Sequence, residues 1–391
     1  MHINKTVSRN LNISQIFETV WRAGGISRID ISKQMGLYRS TVTSIIDSVL
    51  KSKIIIEGER GNATEKGGRK PINLIINKNA GMIIGLEVQP DFYTVSVVDL
   101  SGNVIFSKNQ KIKEVKARTK TGAEKYFEDL IDKIINDVFD SIKEIKIPKL
   151  AICIGVPGIV DTKKGVIIKS VPFNLENYDF SKTLFKKYKI PLLIENDAKC
   201  CAWLNGLNPK KEDFICVLIR NHSDGAIGVG LSVVVNGEIL NGHNYAAGEY
   251  RSISWKNEKN GQTGLSKDII KNIERKPDAY KNWLIDLFST LTVFVPLVQP
   301  QKIYIYGQKD PDFIQKVISK KVPQFDQITK TFKSHLEIVP QNFYEISKGA
   351  ACMFIQKLFK IPFAEDFYYK DEISWEKLFR KKSFKITSLL Q

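Results

Sequence analysis

The sequence is poor in the residues that most often bind metal ions. Its 391 residues include four histidines and five cysteines. The histidines share no ligand-like spacing, and the cysteines form no C-x-x-C pair. This usage predicts free, buried thiols in a reducing compartment and no metal site built from cysteine and histidine. The cysteines are Cys153, Cys200, Cys201, Cys216 and Cys352.

Long apolar runs are missing as well. No continuous hydrophobic stretch reaches the roughly 18 residues that a membrane-spanning helix needs. The first ten residues, MHINKTVSRN, are polar and lack the apolar segment of a secretory signal. With 43% hydrophobic and 26% charged residues, the composition is that of a globular protein of two or three domains. We therefore expect a cytoplasmic protein with no membrane partner.

Acidic residues are outnumbered by basic ones. Lysine and arginine total 59 against 42 aspartates and glutamates, so the net charge is +17. Residues 1–80 hold 13 basic and 6 acidic residues, a net charge of +7. The other +10 is spread over almost four times that length. This density favours nucleic acid as the partner of the first 80 residues, with a lysine-rich composition bias as the alternative.

Residues 11–50 have the pattern of a helix-turn-helix. Apolar residues from Ile13 to Trp21 follow helical spacing, and Gly24 and Gly25 end that helix. A short second helix is predicted from the cap at Ser27 to Gly36. The third helix has Val42, Ile45, Ile46, Val49 and Leu50 on one face. Its opposite face carries Arg39, Ser40, Thr41, Thr43 and Ser44, the candidate contacts to bases and phosphates of a major groove.

The next segment is predicted to be a wing. The stretch from Ile54 to Asn77 shows a strand, a loop and a second strand. The loop contains GGRKP, in which Arg69 and Lys70 follow two flexible glycines. Both cations are candidates for contacts to a minor groove. The segment NKNA, residues 77–80, is the expected domain boundary.

From Met82 onward the pattern alternates between strands and helices in two rounds, which predicts an α/β protein with two lobes. Together with the winged helix-turn-helix, the segments GVPGIVD, ENDA, GAIGVGLSVVVNGEIL and AAGE resemble the ROK family of repressors, open reading frames and sugar kinases. The resemblance is strongest to the DNA-binding branch that contains xylose and N-acetylglucosamine repressors. It covers nearly the whole chain and is weakest after about residue 360.

The resemblance implies a two-lobed actin-like ATPase fold of the α/β class, built from ribonuclease-H-like lobes and preceded by the winged helix-turn-helix. The expected domains are a DNA-binding domain at 1–80, an N-terminal lobe at 81–200, a C-terminal lobe at 201–365 and a helical tail at 366–391. Homodimers or dimers of dimers are also implied. A dimer suits two recognition helices that read half-sites about one helical turn apart.

The chain departs from the family's kinases where they bind ATP. Their first hairpin carries an Asp-x-Gly-Gly-Thr loop, but Glu87, Gln89 and Pro90 stand in the matching stretch. A glutamate repels phosphate, and a proline removes a donor amide. The second glycine loop keeps Gly225, Gly228 and Gly230, whose alternative role is tight strand packing. We therefore expect no ATP cofactor and no kinase activity.

The residues that match the family's sugar site are more complete. Asn174 matches the amide of a Pro-Asn-Leu sugar loop, and ENDA supplies Asn196 and Asp197. In the kinases, the aspartate at the place of Asp197 is the general base on the sugar hydroxyl. Glu249 of AAGE matches another sugar-contacting acid.

The family's zinc loop has lost its ligands in this chain. Ser252 stands at the place of a histidine that binds zinc and sugar. The three cysteine places hold Glu258, Asn260 and Leu265, and Lys267 replaces a later glutamate. Gly261 and Gly264 match the loop's glycines. No zinc is expected, since a leucine cannot bind a metal ion.

These features predict a sugar-responsive transcriptional repressor or, less often, an activator. It would bind double-stranded operator DNA and a small sugar effector such as xylose or another monosaccharide. One alternative is a regulator whose sugar site is lost or repurposed, with a protein partner or constitutive DNA binding. Another is an active sugar kinase that also binds DNA.

Overall fold

The computed structural model describes residues 5–60, 70–113, 119–180, 184–188, 190–207, 212–221, 227–257, 261–308, 310–361 and 375. The chain divides into two compact units. Unit 1 is formed by Met1–Glu195, Leu207–Pro209 and Ser347–Gln391, and unit 2 by Asn196–Gly206 and Lys210–Ile346.

Unit 1 begins with three helices and a small sheet. The helices are α1 (Lys5–Ala23), α2 (Arg28–Met35) and α3 (Arg39–Ser52), and the strands are β1 (Ile26–Ser27), β2 (Ile55–Arg60) and β3 (Ile72–Ile76). The strand order is β1-β3-β2, with antiparallel pairing throughout. The helix-turn-helix and the two strands of the wing are therefore confirmed. The wing loop at 61–69 lies outside the described residues.

Local sequence signals explain the bounds of α2. The hydroxyl of Ser27 accepts a hydrogen bond of 3.2 Å from the backbone N–H of Asp30 and donates one of 2.6 Å to its carboxylate. These two bonds cap the N-terminus of the helix. Gly36 ends it in the left-handed region at φ 63°, which a glycine adopts without steric cost.

The rest of unit 1 is built on a five-stranded mixed sheet. Its strands in chain order are β4 (Met82–Val88), β5 (Phe92–Asp99), β6 (Val104–Lys111), β7 (Lys149–Val156) and β11 (Leu192–Asn196). Their spatial order is β11-β7-β4-β5-β6, with β4 parallel to β7 and antiparallel to β5. Helix α4 (Lys120–Ser141) buries Phe127, Ile131 and Ile134 in the same core as this sheet. A smaller sheet contains β8 (Ile159–Asp161), β9 (Val166–Ser170) and β10 (Leu175–Asp179), followed by α5 (Phe185–Tyr188).

Unit 2 repeats this strand order. Its strands are β12 (Phe214–Asn221), β13 (Ile227–Val235), β14 (Glu238–Ile239), β15 (Lys302–Gln308) and β16 (His335–Pro340), in the spatial order β14-β13-β12-β15-β16. In this sheet β12, β13 and β14 pair antiparallel, β15 is parallel to β12, and β16 is parallel to β15. Its helices are α6 (Asp197–Asn205), α7 (Lys267–Ile270), α8 (Pro277–Val298), α9 (Pro311–Lys321) and α10 (Pro323–Thr331). A tight turn at Asn236 and Gly237, with φ values of 55° and 75°, joins β13 to β14.

The last described helix returns to unit 1. Helix α11 (Glu345–Leu358) packs against the sheet at Gly85, where any Cβ atom would lie 1.9 Å from the carbonyl oxygen of Ser347. The hydroxyls of Ser96 and Ser347 are 2.8 Å apart. Unit 2 begins at Asn196 and residues 347–361 belong to unit 1, whereas the expected lobe spans 201–365. The tail predicted at 366–391 lies outside the described residues apart from Trp375, which is helical and buried.

Helix α8 is long and apolar enough to cross a membrane by length and composition, the one such helix among the described residues. No continuous hydrophobic run in the sequence predicts a stretch of this kind. The buried face of the helix lies in the core of unit 2 and includes Trp283, Leu287, Phe288 and Leu291. Packing inside a folded unit therefore accounts for part of its apolar composition, while Val293 and Leu297 of the same helix are exposed.

Candidate functional site

The exposed face of α3 is polar and its opposite face is apolar. Val42, Ile45, Ile46 and Val49 are buried, as their helical spacing predicts. Among the candidate DNA contacts, Thr41 is half-buried, and the exposed ones are Arg39, Ser40, Thr43 and Ser44. Because the helix N-terminus also presents backbone N–H groups, this face combines hydrogen-bond donors with a cation, as a DNA-reading helix requires.

Two features of this face were not found from sequence. Tyr38 precedes α3 and is 85% exposed, which places an aromatic ring at the start of the helix. Its position immediately before the polar face was the available signal. Asp47 on α3 pairs with the guanidinium of Arg28 at 3.1 Å, and the same guanidinium reaches Glu57 at 3.4 Å. Arg28 therefore reduces the negative charge beside the polar face of α3, which favours contact with phosphates.

Of the two wing cations, Lys70 is described and exposed, two residues before the start of β3. Arg69 lies outside the described residues.

The first helix is joined to the rest of unit 1 by side chains. The indole nitrogen of Trp21 donates a hydrogen bond of 3.1 Å to the carbonyl oxygen of Leu100, at the end of β5. Phe17 contacts the rings of Phe359 and Trp375 at centroid distances of 5.8 and 5.1 Å. These contacts place α1 against the segment that follows α11. A cavity of about 470 Å³ lies beside Trp21, lined by Val20, Gly24, Ile56, Ile75, Ser101 and Asn103 among others.

Three of the four predicted sugar residues, Asn196, Asp197 and Glu249, lie in unit 2, and the first two stand at the start of helix α6. Asn196 caps the helix, and its side-chain oxygen accepts a bond of 3.0 Å from the N–H of Lys199. Asp197 is 9% exposed, and its carboxylate accepts bonds from the N–H of Ala198 at 2.9 Å and from the Asn196 amide at 3.3 Å. The helix terminus therefore orients this carboxylate.

Glu249 lies beside strand β13, against which α6 also packs. Glu249 forms an isolated bridge with Gly230 of β13, and the N–H of Leu231 donates to the carbonyl oxygen of Gly248 at 2.9 Å. On that strand, a Cβ atom at Gly230 would lie 2.7 Å from the Cβ of Ala198. The helix start that bears Asp197 and the exposed Glu249 thus both lie beside Gly230. The glycine allows this close packing, in agreement with the alternative role considered for it. Gly225 of the same motif lies outside the described residues.

The fourth sugar residue, Asn174, lies in unit 1. It occupies the turn between β9 and β10, is exposed, and has a left-handed φ of 53°. Its backbone N–H donates to the carbonyl oxygen of Val171 at 3.2 Å. The turn therefore presents the amide side chain of Asn174 to solvent.

At the place of the kinase phosphate loop, unit 1 has a buried carboxylate. Glu87 is 1% exposed and accepts hydrogen bonds from the hydroxyl of Thr94 at 3.1 Å and from the amide of Gln89 at 3.5 Å. A phosphate here would meet an acceptor-only group with negative charge. The carboxylate of Glu87 opposes phosphate binding at this position.

The segment from Arg251 to Gly264 is held together by hydrogen bonds. The hydroxyls of Ser252 and Ser254 are 2.9 Å apart, and Ser254 accepts a bond of 2.9 Å from the N–H of Gly264. The indole of Trp255 donates to the carbonyl oxygen of Gly261 at 2.8 Å.

Two side chains at the family's zinc-ligand places do not fit a zinc ion. The hydroxyl of Ser252 already takes part in a hydrogen bond, and the side chain of Leu265 is a hydrocarbon. Within the described residues, no three or more His, Cys, Asp or Glu side chains cluster as metal ligands do. Glu258, Asn260 and the Lys267 side chain lie outside that description.

Residues 84–264 match the profile of the ROK family. The chain contains a ROK-family domain. The chain is similar to the xylose repressor of Caldicellulosiruptor bescii, with 29% identity over 63% of this chain and 59% of that protein. It is also similar to the DNA-binding transcriptional dual regulator NagC of Escherichia coli, with 26% identity over 63% of this chain and 58% of that protein. The chain thus matches less than two thirds of the length of each relative.

The fold extends beyond the ROK domain. A solved ROK family transcriptional regulator, described as a homolog of the E. coli MLC protein, superposes with a TM-score of 0.70. The superposition covers 93% of this chain and 98% of that one at 17% sequence identity. The predicted fold class, a two-lobed actin-like fold behind a winged helix-turn-helix, is confirmed, as is the resemblance to the ROK family.

Proposed function

We propose that this protein is a sugar-responsive transcriptional regulator, a repressor in the first instance. In this proposal α3 and the wing bind operator DNA, and the ROK domain binds a small sugar without phosphorylating it. The observation that carries the proposal is the polar, exposed face of α3 in a winged helix-turn-helix that packs against the ROK domain through α1. The likeness to the xylose repressor and to NagC supports it.

The DNA side rests on charge and donor chemistry. Arg39 and Lys70 are exposed cations of the kind that neutralise phosphates. Ser40 and Thr43 are short donors that can contact base edges. A homodimer would supply two such surfaces for two half-sites, and a cytoplasmic location follows from this role.

The effector side rests on Asn196, Asp197 and Glu249, which unit 2 brings to the same strand. Carboxylates and amides in this arrangement accept and donate hydrogen bonds in the way that sugar hydroxyls need. Asn174, which lies in unit 1, stays a candidate suggested by the family resemblance alone. A sugar can change DNA binding only if it binds one conformational state better than the other. We infer D-xylose as the first sugar to test, because the relatives include a xylose repressor.

We further propose that the ROK domain is neither a kinase nor a zinc protein. The buried carboxylate of Glu87 opposes a phosphate in the first loop. Phosphoryl transfer needs all its charge-stabilising parts together, and this part is replaced. Ser252 and Leu265 offer no ligands for zinc.

A second candidate function keeps DNA binding but removes the sugar. Ser252 stands where the family has a sugar-contacting histidine, and its hydroxyl is bonded to Ser254. That observation favours a regulator whose pocket has lost its ligand and that responds to a protein partner or binds DNA constitutively.

One set of measurements tests these alternatives. Footprinting on DNA upstream of sugar-utilisation genes near this gene should reveal a protected operator. Addition of D-xylose, N-acetyl-D-glucosamine or D-glucose should weaken that protection for one sugar. An operator with no response to any sugar favours the second candidate. ATP-dependent phosphorylation of a sugar by the purified protein would overturn the non-catalytic assignment, and no protected site on any fragment would overturn the regulator itself.

A further inference from the structure

A buried lysine contacts the segment that leads to Glu249. Lys199 lies in the first turn of α6 and is 2% exposed. Its ammonium group donates to the side-chain oxygen of Asn241 at 2.9 Å and to the carbonyl oxygen of Tyr245 at 3.1 Å. A charge removed from water is tolerated when hydrogen bonds replace its hydration, and these two bonds supply part of that replacement.

The contacted segment needs such support. Gly242, Tyr245 and Gly248 all have left-handed backbone angles, with φ of 73°, 62° and 99°. Glycine adopts this region freely, but an aromatic residue does so only when its surroundings hold it there. The carbonyl of Tyr245 is one of the two groups that Lys199 binds. The lysine therefore stabilises the least favourable backbone position in the segment.

The segment connects directly to the candidate effector site. The N–H of Ala247 donates to the carbonyl oxygen of Asn241 at 3.1 Å, and the N–H of Glu249 donates to that of Ala246 at 3.1 Å. Lys199 itself is two residues from Asp197, whose carboxylate is fixed by the start of α6. One side chain thus links the helix of Asp197 to the loop of Glu249.

We propose that Lys199 is a positioning residue that fixes the spacing between Asp197 and Glu249 and so sets the affinity for the effector without a metal ion. The proposal rests on the proposed function, in that Asp197 and Glu249 contact the sugar. The lysine does not touch the sugar and acts through Asn241 and the backbone of Tyr245. The loop after Glu249, which lacks zinc ligands, is held by hydrogen bonds of its own.

Hydrogen exchange in the absence of any sugar tests the positioning itself. In Lys199→Met, which keeps the length of the apolar stem, the amides of Ala247 and Glu249 should exchange about tenfold faster or more, because hydrogen bonds to a charged group are lost. Lys302→Met is the matched control, since Lys302 is a lysine of unit 2 that pairs with Glu212 at 3.1 Å. It should leave those two amides unchanged.

A second pair of variants keeps the test valid if Lys199→Met fails to fold. Asn241→Asp retains an oxygen acceptor for the ammonium group and should keep the slow exchange. Asn241→Ala removes that acceptor and should lose it. Slow exchange retained in Asn241→Ala, and in Lys199→Met if it folds, overturns the proposal.

Sugar titration of the full chain then tests whether the position of the Glu249 loop affects sugar affinity. With D-xylose as the first probe, followed by N-acetyl-D-glucosamine and D-glucose, affinity should fall about tenfold or more in Asn241→Ala and stay within twofold of wild type in Asn241→Asp. A chelator such as EDTA should change neither value. Faster exchange with unchanged affinity overturns the link to the effector. If the wild-type chain binds none of these sugars, the proposed function fails, and the exchange data alone decide the role of Lys199.

Discussion

The indole nitrogen of Trp375 lies 2.6 Å from the hydroxyl oxygen of Ser14, and that hydroxyl donates to the carbonyl oxygen of Ile361 at 2.6 Å. Ser14 belongs to α1, and the other two residues follow α11. All three are buried. A single hydroxyl therefore accepts one hydrogen bond and donates another, and it joins the first helix of the DNA-binding region to the C-terminal part of unit 1.

Loss of this hydroxyl should weaken the attachment of α1. Ser14→Ala leaves the indole N–H and the Ile361 carbonyl without their partner, which should lower the free energy of unfolding by about 1–3 kcal/mol. Urea denaturation followed by tryptophan fluorescence measures this loss. Ser319→Ala is the control, because the hydroxyl of the exposed Ser319 bonds within its own helix, to the carbonyl oxygen of Gln315 at 2.9 Å. Equal effects of the two substitutions would show that the buried hydroxyl of Ser14 contributes no more to the free energy of unfolding than the exposed hydroxyl of Ser319.

The cation at the start of α3 should contribute to DNA affinity through phosphates. Arg39→Ala should weaken operator binding and reduce the slope of log K against log salt by about one. Titrations of labelled operator at several salt concentrations measure both quantities. Lys320→Ala removes an exposed lysine of unit 2 and should leave the salt slope unchanged. A slope that does not move in Arg39→Ala contradicts a phosphate contact.

The hydroxyls on the same helix should instead affect sequence preference. Ser40→Ala and Thr43→Ala should change the ranking of operator variants while the salt slope stays near that of wild type, because base-edge contacts carry the sequence information. Competition binding against a library of single-base operator changes measures this ranking. An unchanged ranking in both variants would place these hydroxyls outside the base contacts.

The carboxylate of Asp197 should be required for the sugar response. Asp197→Asn keeps the size of the side chain but removes its charge, and the thermal shift caused by a bound sugar should disappear. Asp310→Asn is the matched control, since Asp310 also starts a helix of unit 2, where it accepts a bond of 2.9 Å from the N–H of Phe313. Its sugar-induced shift should equal that of wild type. A normal shift in Asp197→Asn rules out the carboxylate as an effector contact.

The packing of α11 on the sheet should not tolerate a side chain at Gly85. A Cβ atom there would lie 1.9 Å from backbone, so Gly85→Ala must displace α11 and should cost about 1–3 kcal/mol or more. Gly237→Ala is the comparison, because no atom lies within 4 Å of its Cβ position and the cost is conformational alone. Chemical denaturation of both variants compares the two. A smaller loss at Gly85 than at Gly237 would argue against close packing of α11.

The thiols should be unreactive in the folded protein. All five cysteines are free and buried, as expected from their spacing, and burial raises the pKa of both Cys216 and Cys352 to about 12. Because the thiolate is the reactive form, a raised pKa leaves almost none of it at pH 8. A disulfide reagent such as 5,5′-dithiobis(2-nitrobenzoate) should therefore detect thiols only slowly in the native protein and all five in guanidinium chloride. Rapid native reaction of one thiol would identify an accessible cysteine.

Local patterns were sufficient for much of the fold. Helical spacing predicted the buried face of α3, and the cap at Ser27 and the glycine at 36 predicted the bounds of α2, because these signals act over one or two turns. The return of α11 to unit 1 was not predictable in this way. It depends on contacts such as Ser96 with Ser347, which are distant in sequence and leave no periodic pattern.

The sequence by itself determined the residue types available to each site: a polar face on α3, a glutamate where kinases bind phosphate, and a serine and a leucine where zinc ligands would stand. The tertiary structure decided which residues lie next to one another. It placed both Glu249 and the helix start that bears Asp197 beside Gly230, fixed α1 to the C-terminal segment, and brought Lys199 to the loop of Glu249. Such meetings follow from packing between distant segments, and the free energy of that packing depends on the whole folded unit.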